Sequence, residues 1–228
     1  MVPRSARTSA SPIWYVSRNF GIPGLIVLLF LVGVASAQRT FENHKLRSES
    51  LPEISIHISP DLTYFGQLSI KVGDVAEAEE HVFARTVHGK LRRVFIAHFE
   101  HFLPGNDHFF DYPHLRMANL GGEEYLHQTW ALADFELFEL PEMREFLKSH
   151  KIAAEANWLV DRYVRVVDEE RKHEVILFYL EAASENPAGI HYSGPNEPPP
   201  PQAPPPQAER KLIDRARHAF QVLDSTSR

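Results

Sequence analysis

The chain contains no cysteine. That absence removes disulfide staples, thiolate catalysis, cysteine-ligated zinc, iron–sulfur clusters and covalent c-type haem. Nucleophile and nucleotide signatures are missing too: there is no Gly-x-Ser-x-Gly, no Ser-x-x-Lys, no phosphate-binding Gly-rich loop and no dinucleotide fingerprint. Neither a His-Glu-x-x-His pattern nor an internal repeat occurs, and no Asn-x-Ser/Thr sequon is found. Positive charge is in deficit, with 24 Lys and Arg against 30 Asp and Glu and a net charge of −6. A binder of nucleic acid needs a basic face to meet the phosphates, so no nucleic-acid partner is expected.

What is present is the composition of a globular protein. Hydrophobic residues make up 43% and charged residues 24% of 228 positions, enough for one domain of ordinary size plus appendages. The first appendage is N-terminal. Arg4, Arg7 and Arg18 precede an apolar run from Ile22 to Val34, and Ala35-Ser36-Ala37 has the small-x-small form of a cleavage site. This reads as a signal peptide over 1–37. The apolar core of about 13 residues is short against the roughly 20 of a membrane-spanning helix. An uncleaved N-terminal anchor is the alternative, because the basic region is long. Cleavage removes three basic and no acidic residues, leaving net −9. The expected location is extracytoplasmic, periplasmic or secreted.

Residues 38–62 read as an extended lead-in in which Ile54, Ile56 and Ile58 alternate with Ser55 and His57. Residues 63–185 carry the folded domain. Tyr64 to Val72 alternates as a strand, and Gly73-Asp74 turns it. Asp74-Val75-Ala76-Glu77 fits a capping box, so a short helix through Glu80 competes with a loop. His81–Thr86 and Leu91–Phe102 form a hairpin across Val87-His88-Gly89-Lys90. On the second strand, Leu91, Phe95, Ala97 and Phe99 share one face; Val94, Ile96, His98 and Glu100 share the other. Both faces are mostly apolar, which marks a central strand covered on both sides. The strand breaks at Leu103-Pro104-Gly105-Asn106.

Leu115 to Asn119 is a short strand closed by Gly121-Gly122. Within Glu123 to Phe138, the helical spacing of Ala131, Leu132, Phe135 and Phe138 predicts helix for at least the second half. Pro141 opens a clearer helix with Met143, Phe146 and Leu147 as its buried stripe. Tyr163–Val167 and His173–Glu181 are strands about the charged turn Asp168-Glu169-Glu170-Arg171, and an unbulged turn sets Arg165 opposite Glu174. The expected class is α+β, a mainly antiparallel sheet with helices on one face. A Pro-rich linker over 186–208 follows, with Glu197–Ala208 as a polyproline tether. Residues 209–228 form a C-terminal amphipathic helix with Leu212, Ile213, Ala216, Phe220 and Leu223 on its apolar face, separable from the domain.

Histidine is the unusual count, at 13. Five fall between His98 and His127, namely His98, His101, His108, His114 and His127, among Glu100, Asp107, Asp111, Glu123 and Glu124. Imidazole and carboxylate suit zinc or iron where no thiolate is available, so His98, Glu100, His108, Asp111 and His114 are the candidate metal ligands. No definite ligand spacing supports them: His98 and His101 fall on opposite faces of a strand, and hydrogen-bonded or solvated histidine is the commoner state. No cofactor is expected. Glu100, Glu174 and Glu181 stand on otherwise apolar strands, where burial raises a carboxyl pKa and suits acid/base work; pairing with Arg92, Arg93, Arg162 or Arg165 is the alternative.

Two functional expectations result. The first is a non-enzymatic exported binding module for a small apolar ligand or a protein partner, resting on Phe99, Phe102, Phe109, Phe110 and Tyr112 around the Pro104 turn. The second is a metal-dependent or acid/base enzyme in the stretch 98–127, with His98, Glu100 and His108 as candidate catalytic residues. Membrane contact would come through the N-terminal anchor or the C-terminal helix.

Overall fold

A computed structural model describes residues 39–112, 115–133, 141–186 and 203–224. All of them belong to one compact unit. Its centre is a seven-stranded antiparallel sheet in the order β4-β5-β6-β10-β9-β8-β7. These strands are β4 (Thr63–Val72), β5 (Ala76–Val87), β6 (Lys90–Phe102), β7 (Arg116–Leu120), β8 (Glu123–Ala133), β9 (Asn157–Val166) and β10 (His173–Ala182). A second sheet, order β1-β2-β3-β11, comprises β1 (Arg39–Glu42), β2 (Lys45–Ser48), β3 (Ile54–Ile58) and β11 (Phe220–Val222). Two α-helices, α1 (Pro141–Ser149) and α2 (Pro206–Ala219), and a single 3-10 turn (Ala183–Glu185) complete the described elements. The architecture is thus mostly antiparallel sheet with few helices, broadly α+β.

Strands β4, β6, β7, β9 and β10 form where the alternation predicts them. The β5–β6 hairpin closes on His88 and Gly89, both at positive φ (51° and 73°), the backbone a two-residue hairpin of right-handed twist requires. The two faces of β6 divide as its side chains do. Phe95, Ala97 and Phe99 join the main core with Phe83, Val175, Leu177, Tyr179, Leu159 and Tyr163. Leu46, Ile54, Ile56 and Ile58 of the small sheet pack against that core, as do Ala208, Leu212 and Ala216 of α2. Phe220 stacks on Phe95 at a centroid separation of 4.4 Å. We call this the core face. Val94, Ile96, His98 and Glu100 lie on the opposite, second face.

Several expectations are corrected. Residues 38–62 are no mere lead-in, since 39–58 supply three strands of the small sheet. The Asp74 capping box opens no helix; the chain turns at 73–75 and enters β5 at Ala76, because pairing with β4 and β6 outweighs a single local cap. Residues 123–133 are strand, not helix. There the alternation of Tyr125, His127, Thr129 and Ala131 with Gln128 and Trp130 satisfies both faces of an interior strand. The remainder of that predicted helix, 134–140, lies outside the described residues. Arg165 pairs in register with Val175 rather than Glu174, because the loop between β9 and β10 spans six residues. Its guanidinium reaches Glu123 across the sheet at 3.0 Å.

The C-terminal helix packs into the core instead of standing apart from the domain. Leu212, Ala216 and Ala208 are fully buried, and Arg215 donates to buried Glu181 at 3.0 Å. The chain then leaves α2 as β11, pairing Phe220 with Ile58 and Val222 with Ile56. Its return passes so near the β7–β8 turn that a Cβ on Gly121 would lie 2.7 Å from the Val222 carbonyl oxygen. Only glycine fits there, and its φ of +60° adds to the demand. Residues 187–202, most of the Pro-rich linker, lie outside the described residues.

Candidate functional site: a buried polar cluster on the second sheet face

Register brings four acidic or imidazole side chains together in the middle of an apolar surface. On the second face, His98 lies between Glu80 of β5 and Ile176 of β10, and Glu100 lies between Ala78 and Glu174. One row along, Arg162 of β9 is paired with Phe178 and with Gln128 of β8. Val82, Val94, Ile96, Val160 and Leu180 fill the neighbouring positions and are buried. A β-strand puts every second residue on one face, so five strands need contribute only one or two polar residues each to assemble this group.

Tyr112 completes the cluster from the loop after β6. That loop is pinned by the Asn106 amide, which donates to the Val75 carbonyl at 3.1 Å. The Phe110 N–H bonds to the Arg171 carbonyl at 2.9 Å, and its ring packs 4.5 Å from Phe102. Held in this way, the Tyr112 hydroxyl donates to both oxygens of Glu174, at 2.9 and 2.8 Å.

The protonation pattern follows from contacts. His98 is fully buried. Burial alone would lower its pKa, but hydrogen bonds from Nε2 to Glu100 (2.9 Å) and Nδ1 to Glu80 (2.8 Å), with the charges of both carboxylates, push it up to about 10. Both ring nitrogens donate, so the ring is an imidazolium. Glu174 behaves oppositely to a surface carboxylate. Burial and the neighbouring charge of Glu100 push it up to about 8, against the lowering effect of Tyr112, His98 and Arg162. At neutral pH it keeps its proton. Burial and the Glu174 charge raise the Tyr112 phenol, which stays a donor. With Glu174 neutral, two carboxylates face two cations, His98 and Arg162, and the charges balance.

Arg162 is the unusual member. Burial lowers its pKa against the raising effect of Tyr112 and Glu174. One terminal nitrogen donates to the Gln128 side chain at 2.9 Å. The guanidinium lies 5.7 Å from the Tyr112 ring centre and 5.5 Å from that of Trp130. Yet Nε has no acceptor, and neither does the buried indole N–H of Trp130.

The sequence-derived candidates divide. His98 and Glu100 meet, joined by Glu174. His108 does not: it is exposed on the loop, stacked on Phe102. Asp111 is exposed and pairs with Arg171 at 3.0 Å. His114 lies outside the described residues. His101 turns to the core face, where it stacks on His173. There burial, together with the His173 charge, lowers its pKa. Glu181 also faces the core side and ties α2 to the sheet through Arg215. His127 is buried beside Asp161 at 2.6 Å and stacked on Tyr163, which donates to the same carboxylate at 2.9 Å. Among the described residues, no three His, Asp or Glu side chains are disposed to hold a metal ion. His98 shows why, with both nitrogens already committed to carboxylates.

Glu80, Gln128 and Trp130 were not anticipated as site residues, Tyr112 only as one of the aromatic residues around the Pro104 turn, and Arg162 only as an ion-pair partner. The sequence signal for Glu80 is its place in a hairpin with His98, legible only once the register is known. Compared with models of known families, with curated proteins and with solved structures, the chain matches none.

Proposed function

We propose that the protein is an exported, non-enzymatic module that binds a small, largely apolar ligand against the second face of its seven-stranded sheet. The carrying observation is the composition of that face. Val82, Val94, Ile96, Val160, Phe178 and Leu180, none more than 3% exposed, form a covered apolar layer beside one compact polar group, so the ligand would lie within this layer rather than on an open surface, with few polar atoms to fix its orientation. Export is supported by the basic N-terminus, the Ile22–Val34 apolar run and Ala35-Ser36-Ala37. Retention through an uncleaved N-terminal anchor is the alternative location. Among the described residues no helix is long and apolar enough to cross a membrane.

A second reading, an acid/base enzyme, draws on Glu174. A buried carboxyl that titrates near pH 8 and is oriented by a tyrosine hydroxyl is suited to giving or taking a proton. Against it, no nucleophile among the described residues is hydrogen-bonded to the carboxyl of Glu174 beyond the orienting Tyr112. The neutral probe N-phenyl-1-naphthylamine tests the binding reading. Its fluorescence should rise saturably at one probe per chain, with energy transfer from Trp130 or Trp158, and Glu174→Gln should leave the stoichiometry unchanged. No saturable signal from the folded protein refutes it.

A further inference from the structure

Away from the buried cluster, at the rim of the core face, three adjacent strands place metal-ligating side chains in one row. His101 of β6 pairs in register with His173 of β10 on one side and with Glu77 of β5 on the other. Residues directly opposite one another in a sheet share a face, so the three side chains are neighbours. The two imidazoles stack at a centroid separation of 5.8 Å. His101 is half-buried, and neither of its ring nitrogens has a hydrogen-bond partner among the described residues. His173 is held from behind. Its Nδ1 lies 3.2 Å from the Asp168 carboxylate, which also accepts from the Lys172 and His173 backbone N–H groups at 2.9 Å. In the neutral ring that bond keeps the proton on Nδ1 and leaves Nε2 with its lone pair, as a carboxylate does behind a metal-binding histidine.

We propose that His101 and His173 form a cross-strand seat for a zinc ion, with Glu77 as the third ligand. This goes beyond the apolar-ligand reading and does not depend on it. Imidazole and carboxylate are the zinc donors left to a chain without cysteine. With metal–nitrogen bonds of about 2.0–2.1 Å at a tetrahedral angle, two ligating rings have their centres roughly 5 Å apart, close to the spacing the sheet already sets. The rings are parallel to within 11°, so their nitrogens do not yet converge; a turn about χ2, a broad torsion in histidine, closes the chelate. Glu77 is exposed and can swing in beside them, so the three ligands assemble on binding rather than before it. Burial and the His173 charge hold His101 below its ordinary pKa, which leaves its ring neutral and able to ligate at pH 7. The carboxylates of Glu77 and Glu100 bear on the same ring, against one arginine, Arg39, which is tied to Glu79 and to the Leu51 carbonyl, each at 3.3 Å.

Calorimetric titration of the full chain with zinc chloride at pH 7.5, in a buffer that does not coordinate metals, should give one micromolar site per chain, tighter than any binding by exposed histidines such as His44 and His88. His101→Phe, which keeps a ring to stack, and His173→Phe should each weaken that site about a hundredfold, and Glu77→Gln about tenfold. His108→Ala, at an exposed loop position, should bind as the wild type does. Urea unfolding without metal checks that each variant is folded. Saturating zinc should raise the midpoint of the wild type and leave that of His101→Phe where it was, because an ion that binds only the folded state stabilises it. No saturable site in the wild type, or a site untouched by His101→Phe or His173→Phe, refutes the seat. An equal loss in His108→Ala refutes it too, since binding would then be shared among surface histidines. An unchanged affinity in Glu77→Gln overturns the third ligand.

Discussion

Replacing Glu174 by Gln gives the most direct access to the cluster's electrostatics. Glutamine is the neutral isostere of the protonated acid, so it can still accept from Tyr112 while losing the ability to ionise. In the unfolded chain Glu174 titrates near its ordinary 4.5; in the fold it does so at about 8. Between those values the folded protein holds a proton that the unfolded chain has released, so wild-type stability must fall as pH rises. At about 1.4 kcal/mol per pH unit, that interval corresponds to roughly 4–5 kcal/mol lost by pH 8, with most of it gone by pH 7. The variant has no such term. Urea unfolding at pH 5, 6, 7 and 8 should therefore show the two proteins close in stability at pH 5, with the variant pulling ahead by several kcal/mol at pH 8. His98 titrates in both and cancels from the difference. A difference that does not vary with pH would show that Glu174 ionises in the fold as it does in water, and would refute the neutral-carboxyl assignment.

Three further outcomes are expected. His98→Ala strands Glu80 and Glu100 in the interior without their cation and should cost about 3–5 kcal/mol at pH 7, read from the urea midpoint. Leu212→Ala, at a fully buried position of α2, should cost about 2–5 kcal/mol; an unchanged midpoint would mean that the helix is not part of the cooperative unit. Edman sequencing of the protein recovered from a secreting host should begin at Gln38, and an intact Met1 in the soluble cytosolic fraction would defeat the export proposal.

The strands that carry the cluster were legible because each alternates unmistakably. Val94, Ile96, His98 and Glu100 fall on one face by parity alone, and Glu174 stands out as a carboxylate in an apolar run. What parity cannot supply is register. Glu80 meets His98 only because a two-residue turn at His88–Gly89 and a bulge near Arg85 set the offset of β5 against β6. Arg165, by contrast, was assigned to Glu174 on an offset wrong by one residue, which in a sheet changes the partner and the face together. At 123–133, Ala131 and Leu132 fit helical spacing as well as strand alternation, and the neighbours β7 and β9 decide the outcome. The C-terminal helix was recognised by its stripe, but nothing in a stripe says whether it meets its own domain. Trp130 gave no signal, and Arg162 only that of an ion-pair partner, since a missing partner shows only in three dimensions.

The pairing of β11 with β3 bears on how the molecule is made. Ile58 waits for Phe220, about 160 residues later in the chain. Contacts so distant in sequence close slowly, because the loop entropy is spent before the contact returns anything. A chain emerging N-terminus first therefore presents β1–β3 with the β3 edge unpaired until residues 220–222 have appeared. Under the export proposal, in which the chain crosses a translocation channel unfolded, such a delay would be useful: the final tertiary lock does not engage until residues 220–222 have crossed. The same interval is its period of greatest exposure to aggregation and proteolysis.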